Sequence, residues 1–177
     1  MKERVAHWQV AGVVFASVLG TFLHFLFDLT GGSLVAALVS AVNESIWEHM
    51  KLLYYPMLLF AMAEYRVWGR QREDFWPVKL AGTVLGLTLI PVIYYTYSGI
   101  LGVNVDFVNI AIFFLAVMAA YRAETALFAR QRRWRIGGGL ALGLLLGISG
   151  VFTLLTFFPP HIPFFRDPLT GTYGFID

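Results

Sequence analysis

Runs of about twenty apolar residues, separated by short charged segments, recur along this 177-residue chain. An α-helix of that length crosses a bilayer core of about 30 Å, and it satisfies its own backbone polar groups in lipid. The composition agrees. Hydrophobic residues make up 58% of the chain and charged residues 14%, against about a quarter charged in soluble domains. One soluble core could not bury so many consecutive apolar positions. The expectation is an all-α integral membrane bundle of about five transmembrane helices, forming a single domain over residues 1–177.

The expected spans are Trp8–Leu29, Ser45–Arg66, Trp76–Tyr97, Phe107–Leu127 and Ile136–Phe158, followed by a tail from 159 to 177. The first exceeds a signal-peptide core in length and carries His24 and Asp28 at its far end, so it reads as a retained helix. Thr30-Gly31-Gly32-Ser33 reads as a turn. The apolar piece Leu34–Val42 that follows is too short to cross, which suggests an interfacial or re-entrant helix. Five spans put Lys2, Arg4, Arg66, Arg70, Arg72, Lys79, Arg122, Arg130, Arg132, Arg133 and Arg135 on one side, eleven of the thirteen basic residues. Only Lys51 and Arg166 fall on the other. By the positive-inside rule the amino terminus is cytoplasmic and the carboxyl tail outside, in a multi-pass protein of the cell membrane.

Glu64 and Glu124 lie near Arg66 and Arg122 in sequence, so local charge compensation is expected at the inner boundary. Gly139, Gly143 and Gly147, like Gly82 and Gly86, recur every four residues and suggest close helix packing. Pro56 and Pro91 inside spans suggest kinks. The net charge of +2 is dispersed between apolar spans, which gives a nucleic-acid partner no support. The chain has no cysteine. Disulfides and thiolate ligands are therefore excluded, and any metal would need histidine, carboxylate or water ligands.

The chemistry-bearing residues gather at the outer level. Ser17, Thr21, His24 and Asp28 share one face of the first span and should point into the bundle, because an ionisable group facing lipid is costly. Glu48 and His49 lie about one turn inside the outer boundary of the second span. His161 follows the fifth. On helical spacing Glu44 pairs with Glu48, and Ser45 with His49. His24, Asp28, Glu48, His49 and His161 are thus candidate ligands for a divalent metal such as zinc. Glu44 or Asp28 is the candidate general base. Other readings compete. Ser45-Ile46-Trp47-Glu48 fits a capping box, and Asn43 suits a helix start. Trp47, Tyr54 and Tyr55 fit an outer aromatic belt. Asn104, Asp106 and Asn109 fit a cap and polar loop, and the tail, with turn signals at Asp167-Pro168 and Thr170-Gly171, suits a lid.

The run Val42-Asn43-Glu44-Ser45-Ile46-Trp47-Glu48-His49-Met50-Lys51-Leu52-Leu53, preceded by His24 and Asp28, resembles an uncharacterised family of bacterial polytopic membrane proteins. So does the tail Pro159-Pro160-His161-Ile162-Pro163-Phe164-Phe165-Arg166-Asp167-Pro168 with Thr170-Gly171-Thr172-Tyr173-Gly174. The resemblance covers nearly the whole chain and implies a small membrane protein, with no activity attached. A weaker likeness is to alkaline ceramidases, whose zinc sites use a Ser-x-x-x-His step such as Ser45 to His49. This chain departs from them in having about five spans rather than seven and no His-x-x-x-His pair.

The leading expectation is a metal-dependent membrane enzyme acting on a lipid or small molecule at the outer face. The alternatives are an ion- or proton-coupled transporter and a non-catalytic assembly protein. Membrane lipid is the expected environment, and a homo-oligomer is compatible with the sequence.

Overall fold

The computed structural model describes residues 2–130 and 134–175, without the side chains of Lys2 and Arg4. Arg132 and Arg133 of the expected inner basic loop lie outside the described residues. Helix α1 runs from Lys2 to Leu29 and ends in two glycines of positive φ, Gly31 (65°) and Gly32 (79°). Their amides return to Asp28 and Phe27, the Schellman arrangement that closes a helix on left-handed residues. The chain then reverses into α2, Leu34–Ala37.

That one turn replaces the longer helix expected over Leu34–Val42. The buried Lys51 ammonium takes the Ala37 carbonyl at 2.7 Å, and the Ser40 hydroxyl takes that of Ala36. The Ala36 carbonyl still accepts the Ser40 amide, but the Ala37 carbonyl, the next acceptor that would continue the helix, is held by the lysine.

Helix α3 (Ile46–Val67) starts at Ser45, whose hydroxyl accepts from the Glu48 amide. Glu48 does not complete the capping box; the Asn43 side chain accepts from the Ser45 amide instead, at 2.9 Å. Helices α4 (Phe75–Leu101), α5 (Asp106–Arg130) and α6 (Gly138–Phe157) follow. Gly102, at φ 69°, stops α4. The turn into α5 is closed by Tyr97, which donates to Asn109, and by the Asn109 amide on Asn104.

The described residues are all-helical apart from one isolated β-bridge, between Arg166 and Tyr173. Four helices are long and apolar enough to cross a membrane: α1, α4, α5 and α6. Helix α3 is as long as a span but carries Glu48, His49, Lys51, Glu64 and Arg66. It can do so because it packs against α1, α4 and α6 and keeps Glu48, Lys51 and Glu64 buried. Helix α5 fills the gap between α1 and α4.

Small residues set the close approaches. Gly12 lies against Tyr121 and Phe60, Gly20 against the Leu52 carbonyl, and Ala16 between them is fully buried. This stripe, not the polar one, is the packing face of α1. Thr21 and Asp28 are exposed, and Thr21 returns its hydroxyl to the Ser17 carbonyl. Gly82 and Gly86 pack as expected, but Gly139, Gly143 and Gly147 face open space. Tyr54 is buried and bonds to Leu145 and Ser149 of α6. Trp47 packs on Phe152, Phe164 and Phe165. Tyr54 is an interior group rather than a belt residue, and Trp47 is partly buried against α6 and the tail.

The tail folds back onto the bundle. Asp167 caps its own turn through the amides of Leu169 and Thr170. Asn43 donates to the Gly174 carbonyl and the Phe175 amide to that of Thr156. The Phe175 ring sits between Phe27 and Phe157.

Candidate functional site

His24 comes from the penultimate turn of α1, Glu44 from the segment before α3, and His49 from the first turn of α3. The glycine reversal after α1 brings these three together although twenty residues separate the first two. His24 Nε2 lies 3.7 Å from one Glu44 oxygen, and His49 Nε2 lies 3.3 Å from the other. One donor atom from each residue falls within 4.8 Å of the other two. The imidazole centroids are 5.3 Å apart. All three side chains are partly exposed, Glu44 most of all at 40%.

The tautomer of His49 follows from its environment. Its Nδ1 lies 2.9 Å from the Ser45 carbonyl, an oxygen that can only accept, so Nδ1 carries the proton. On a neutral ring, Nε2 then presents a lone pair to the Glu44 carboxylate. Two lone pairs at 3.3 Å repel unless a proton or a metal ion stands between them. With a proton there, the hydrogen bond that the doubly protonated His49 ring donates holds the Glu44 carboxyl below its ordinary range, against partial burial, which raises it.

Zinc ligands about 2.0–2.2 Å from a tetrahedral ion lie roughly 3.3–3.6 Å from one another. The His49–Glu44 separation of 3.3 Å falls in that range, and the 3.7 Å from His24, to the other carboxylate oxygen, lies just beyond it. An imidazole anchored through its other nitrogen is the usual state of a metal-binding histidine.

The other candidate residues lie elsewhere. Glu48 is 1% exposed and faces away from the imidazoles. It accepts from Lys51 at 2.7 Å, Thr156 at 2.8 Å and the Val42 amide at 3.2 Å. Lys51 also donates to Thr156 and to Ala37. Glu48 and Lys51 thus form a buried, fully paired staple joining α2, α3 and α6. The expected pairing of Glu44 with Glu48 on one helical face does not arise, because α3 begins only at Ile46. Asp28, one turn beyond His24, is exposed beside the cluster. His161 is exposed and stacks on Tyr173 with centroids 4.6 Å apart, outside the three-residue group.

A second polar cluster, at the opposite end of the bundle, was not anticipated. Glu64 and Glu124 pair with Lys79 rather than with Arg66 and Arg122, which are exposed. Gln9 of α1 donates to Glu64 at 2.8 Å. In sequence Lys79 reads as one more basic residue near a loop. Only its burial, 2% exposed, reveals the connection.

A helical, membrane-like bundle with two imidazoles and a carboxylate converging at one end is the class of protein these features define. The chain matches a family of unknown function, DUF6512, over residues 1–175, and belongs to that family. No curated protein and no solved structure matches it.

Proposed function

We propose that the chain is a five-span integral membrane protein in which His24, Glu44 and His49 hold one divalent metal ion, zinc foremost. Its activity is hydrolysis of a lipid or small substrate at the outer leaflet. The observation that carries this reading is the convergence of three donor atoms within 4.8 Å, with His49 tethered so that its free nitrogen faces the carboxylate. Three protein ligands leave a fourth position for water, and the partial exposure of the cluster supports one that substrate can reach. An ion held by His24, Glu44 and His49 would supply an acidified water as the nucleophile toward a substrate carbonyl. Asp28 would serve as the base that takes the water's proton and returns it to the departing alcohol or amine.

The topology rests on the apolar helices and on the distribution of basic residues. Glu48, Lys51 and Glu64 do not argue against a crossing by α3, because each is buried against a partner instead of facing lipid. In this arrangement the histidine cluster and the tail are outside, and Gln9, Lys79 and Glu124 lie toward the cytoplasm.

The test uses full-length protein purified in detergent without chelators, incubated with zinc and analysed by elemental mass spectrometry. About one zinc per chain in the wild type, lost in folded His24→Ala, His49→Ala and Glu44→Gln, is the expected result. A wild type that retains none sinks the metal centre. Zinc-dependent cleavage of ester- or amide-linked lipids in liposomes, lost in Asp28→Asn while zinc stays bound, supports the hydrolase. Zinc-dependent flux without cleavage would assign the site to transport instead.

A further inference from the structure

The two buried charge networks differ in one respect that decides their protonation. Glu48 and Lys51 balance one to one, and the Lys51 ammonium has three acceptors. At the opposite end, two carboxylates share a single ammonium. Lys79 Nζ contacts Glu64 and lies 2.5 Å from Glu124. Glu64 and Glu124 are 0% exposed and Lys79 is 2% exposed. With both carboxylates ionised, one negative charge would be left away from bulk solvent and, among the described residues, without a counter-ion, a state that burial in a low-dielectric interior strongly disfavours.

Among the described residues no other cation or acid meets the surplus. From α1 the cluster is faced by Gln9, while His7 is exposed. From α3 it is faced by Glu64, and Arg66 is exposed. Helix α4 supplies Lys79, and α5 supplies Glu124 and Tyr121, whose ring lies 5.3 Å from the ammonium. Arg72, stacked on Phe128, is held by both oxygens of Asp74. Helix α6 carries no ionisable residue.

The cluster also holds unused polar atoms. One oxygen of Glu124, the Gln9 carbonyl and the Tyr121 hydroxyl are buried without a hydrogen-bond partner. Their residues are each at most 2% exposed. Gly82 makes the room for Glu124; a Cβ there would lie 2.4 Å from its Cγ.

We infer that Glu64 and Glu124 together bind one proton at neutral pH, making a proton-holding site in the half of the bundle opposite His24 and His49. A proton suits the site better than a second metal ion, because the Lys79 ammonium already stands between the carboxylates and would repel another cation. The site is separate from the proposed metal centre, about 22 Å from His49 along α3 at 1.5 Å per residue, and does not depend on it.

The experiment is infrared spectroscopy of the full-length protein in lipid nanodiscs at neutral pH, read at the carbonyl stretch of a protonated carboxylic acid. The wild type is expected to show one such band. Glu64→Gln and Glu124→Gln should each abolish it, because the remaining carboxylate is balanced by Lys79. Lys79→Met, which leaves two acids and no ammonium, should double it, and this variant decides the matter if either glutamine variant fails to fold. A wild type without the band overturns the inference. So does a band that survives either glutamine substitution or fails to grow in Lys79→Met.

Discussion

At the residue scale the histidine cluster turns on a single proton. Ser45 uses its hydroxyl to cap α3 and its carbonyl to receive His49 Nδ1. The nitrogen left over points at Glu44. Glu44 also gives the metal-free protein a pH dependence. Its carboxyl is lowered on folding, chiefly by the hydrogen bond from His49, so its ionised form favours the folded state. That contribution is present at and above the ordinary carboxylate range and is lost as pH falls below it through the lowered value. Glu44→Gln should therefore flatten the acid side of the stability profile of metal-free protein, measured by thermal unfolding in detergent. A profile identical to wild type would remove the ionic contact. Glycines give a second contrast. Gly82→Ala drives a methyl into Glu124 and should destabilise by about 1–3 kcal/mol. Gly143→Ala enters open space and should leave stability unchanged or raised, as alanine is the better helix former. Equal effects of the two on unfolding would count against the packing described for α4 and α5.

At the element scale, α3 is the centre of the molecule and the least apolar of the long helices. Its polar residues were legible as a group. Their roles were not, because helical spacing pairs Glu44 with Glu48 only if both lie on the helix. Ser45 starts α3 later, so Glu44 swings to the histidines while Glu48 turns inward to Lys51. Removing that lysine leaves a buried carboxylate alone. Lys51→Met should cost about 3–5 kcal/mol, and Glu48→Gln added to it should recover much of the loss. A single variant as stable as wild type in denaturant titration would show that the staple does not hold α2 and α6 to α3. Helix α2 illustrates the same point in a short segment. Its sequence is apolar enough to continue, and a lysine fourteen positions later takes the carbonyl it would have used.

At the scale of the whole molecule, topology and the folded tail are the properties to test. The chain has no cysteine, so single cysteines report sidedness without background. Cysteines at the exposed positions Thr30 and Arg70, which flank α3 and no other long helix, should label from opposite faces of sealed membranes if α3 is a fifth span. Labelling from one face would fit four crossings and put the tail on the same side as the amino terminus. The tail is pinned through Gly174, whose φ is 61° and where a Cβ would lie 2.5 Å from the Thr156 carbonyl. Gly174→Ala should release it, exposing Trp47 and shifting its fluorescence to longer wavelength, while a spectrum unchanged from wild type would mean that Phe164 and Phe165 hold the tail alone.

Hydrophobic run length determined the helical character, the positions of the five long helices and the reversal at Gly31 and Gly32, because those properties are local: a backbone in lipid must bond to itself, and glycine takes positive φ at little cost. Histidines and carboxylates gathering at one level followed from the same run lengths. Partnership required the tertiary structure. Lys79 stands 15 residues from Glu64 and 45 from Glu124, read from their numbers, and no periodicity links residues on three different helices. The same holds for Lys51 with Thr156, and for His24 with Glu44 across a turn. Which buried charge finds which counter-charge depends on how helices are rotated about their axes. Small residues such as Ala16, Gly20 and Gly82 set that rotation by allowing close approach on one side only.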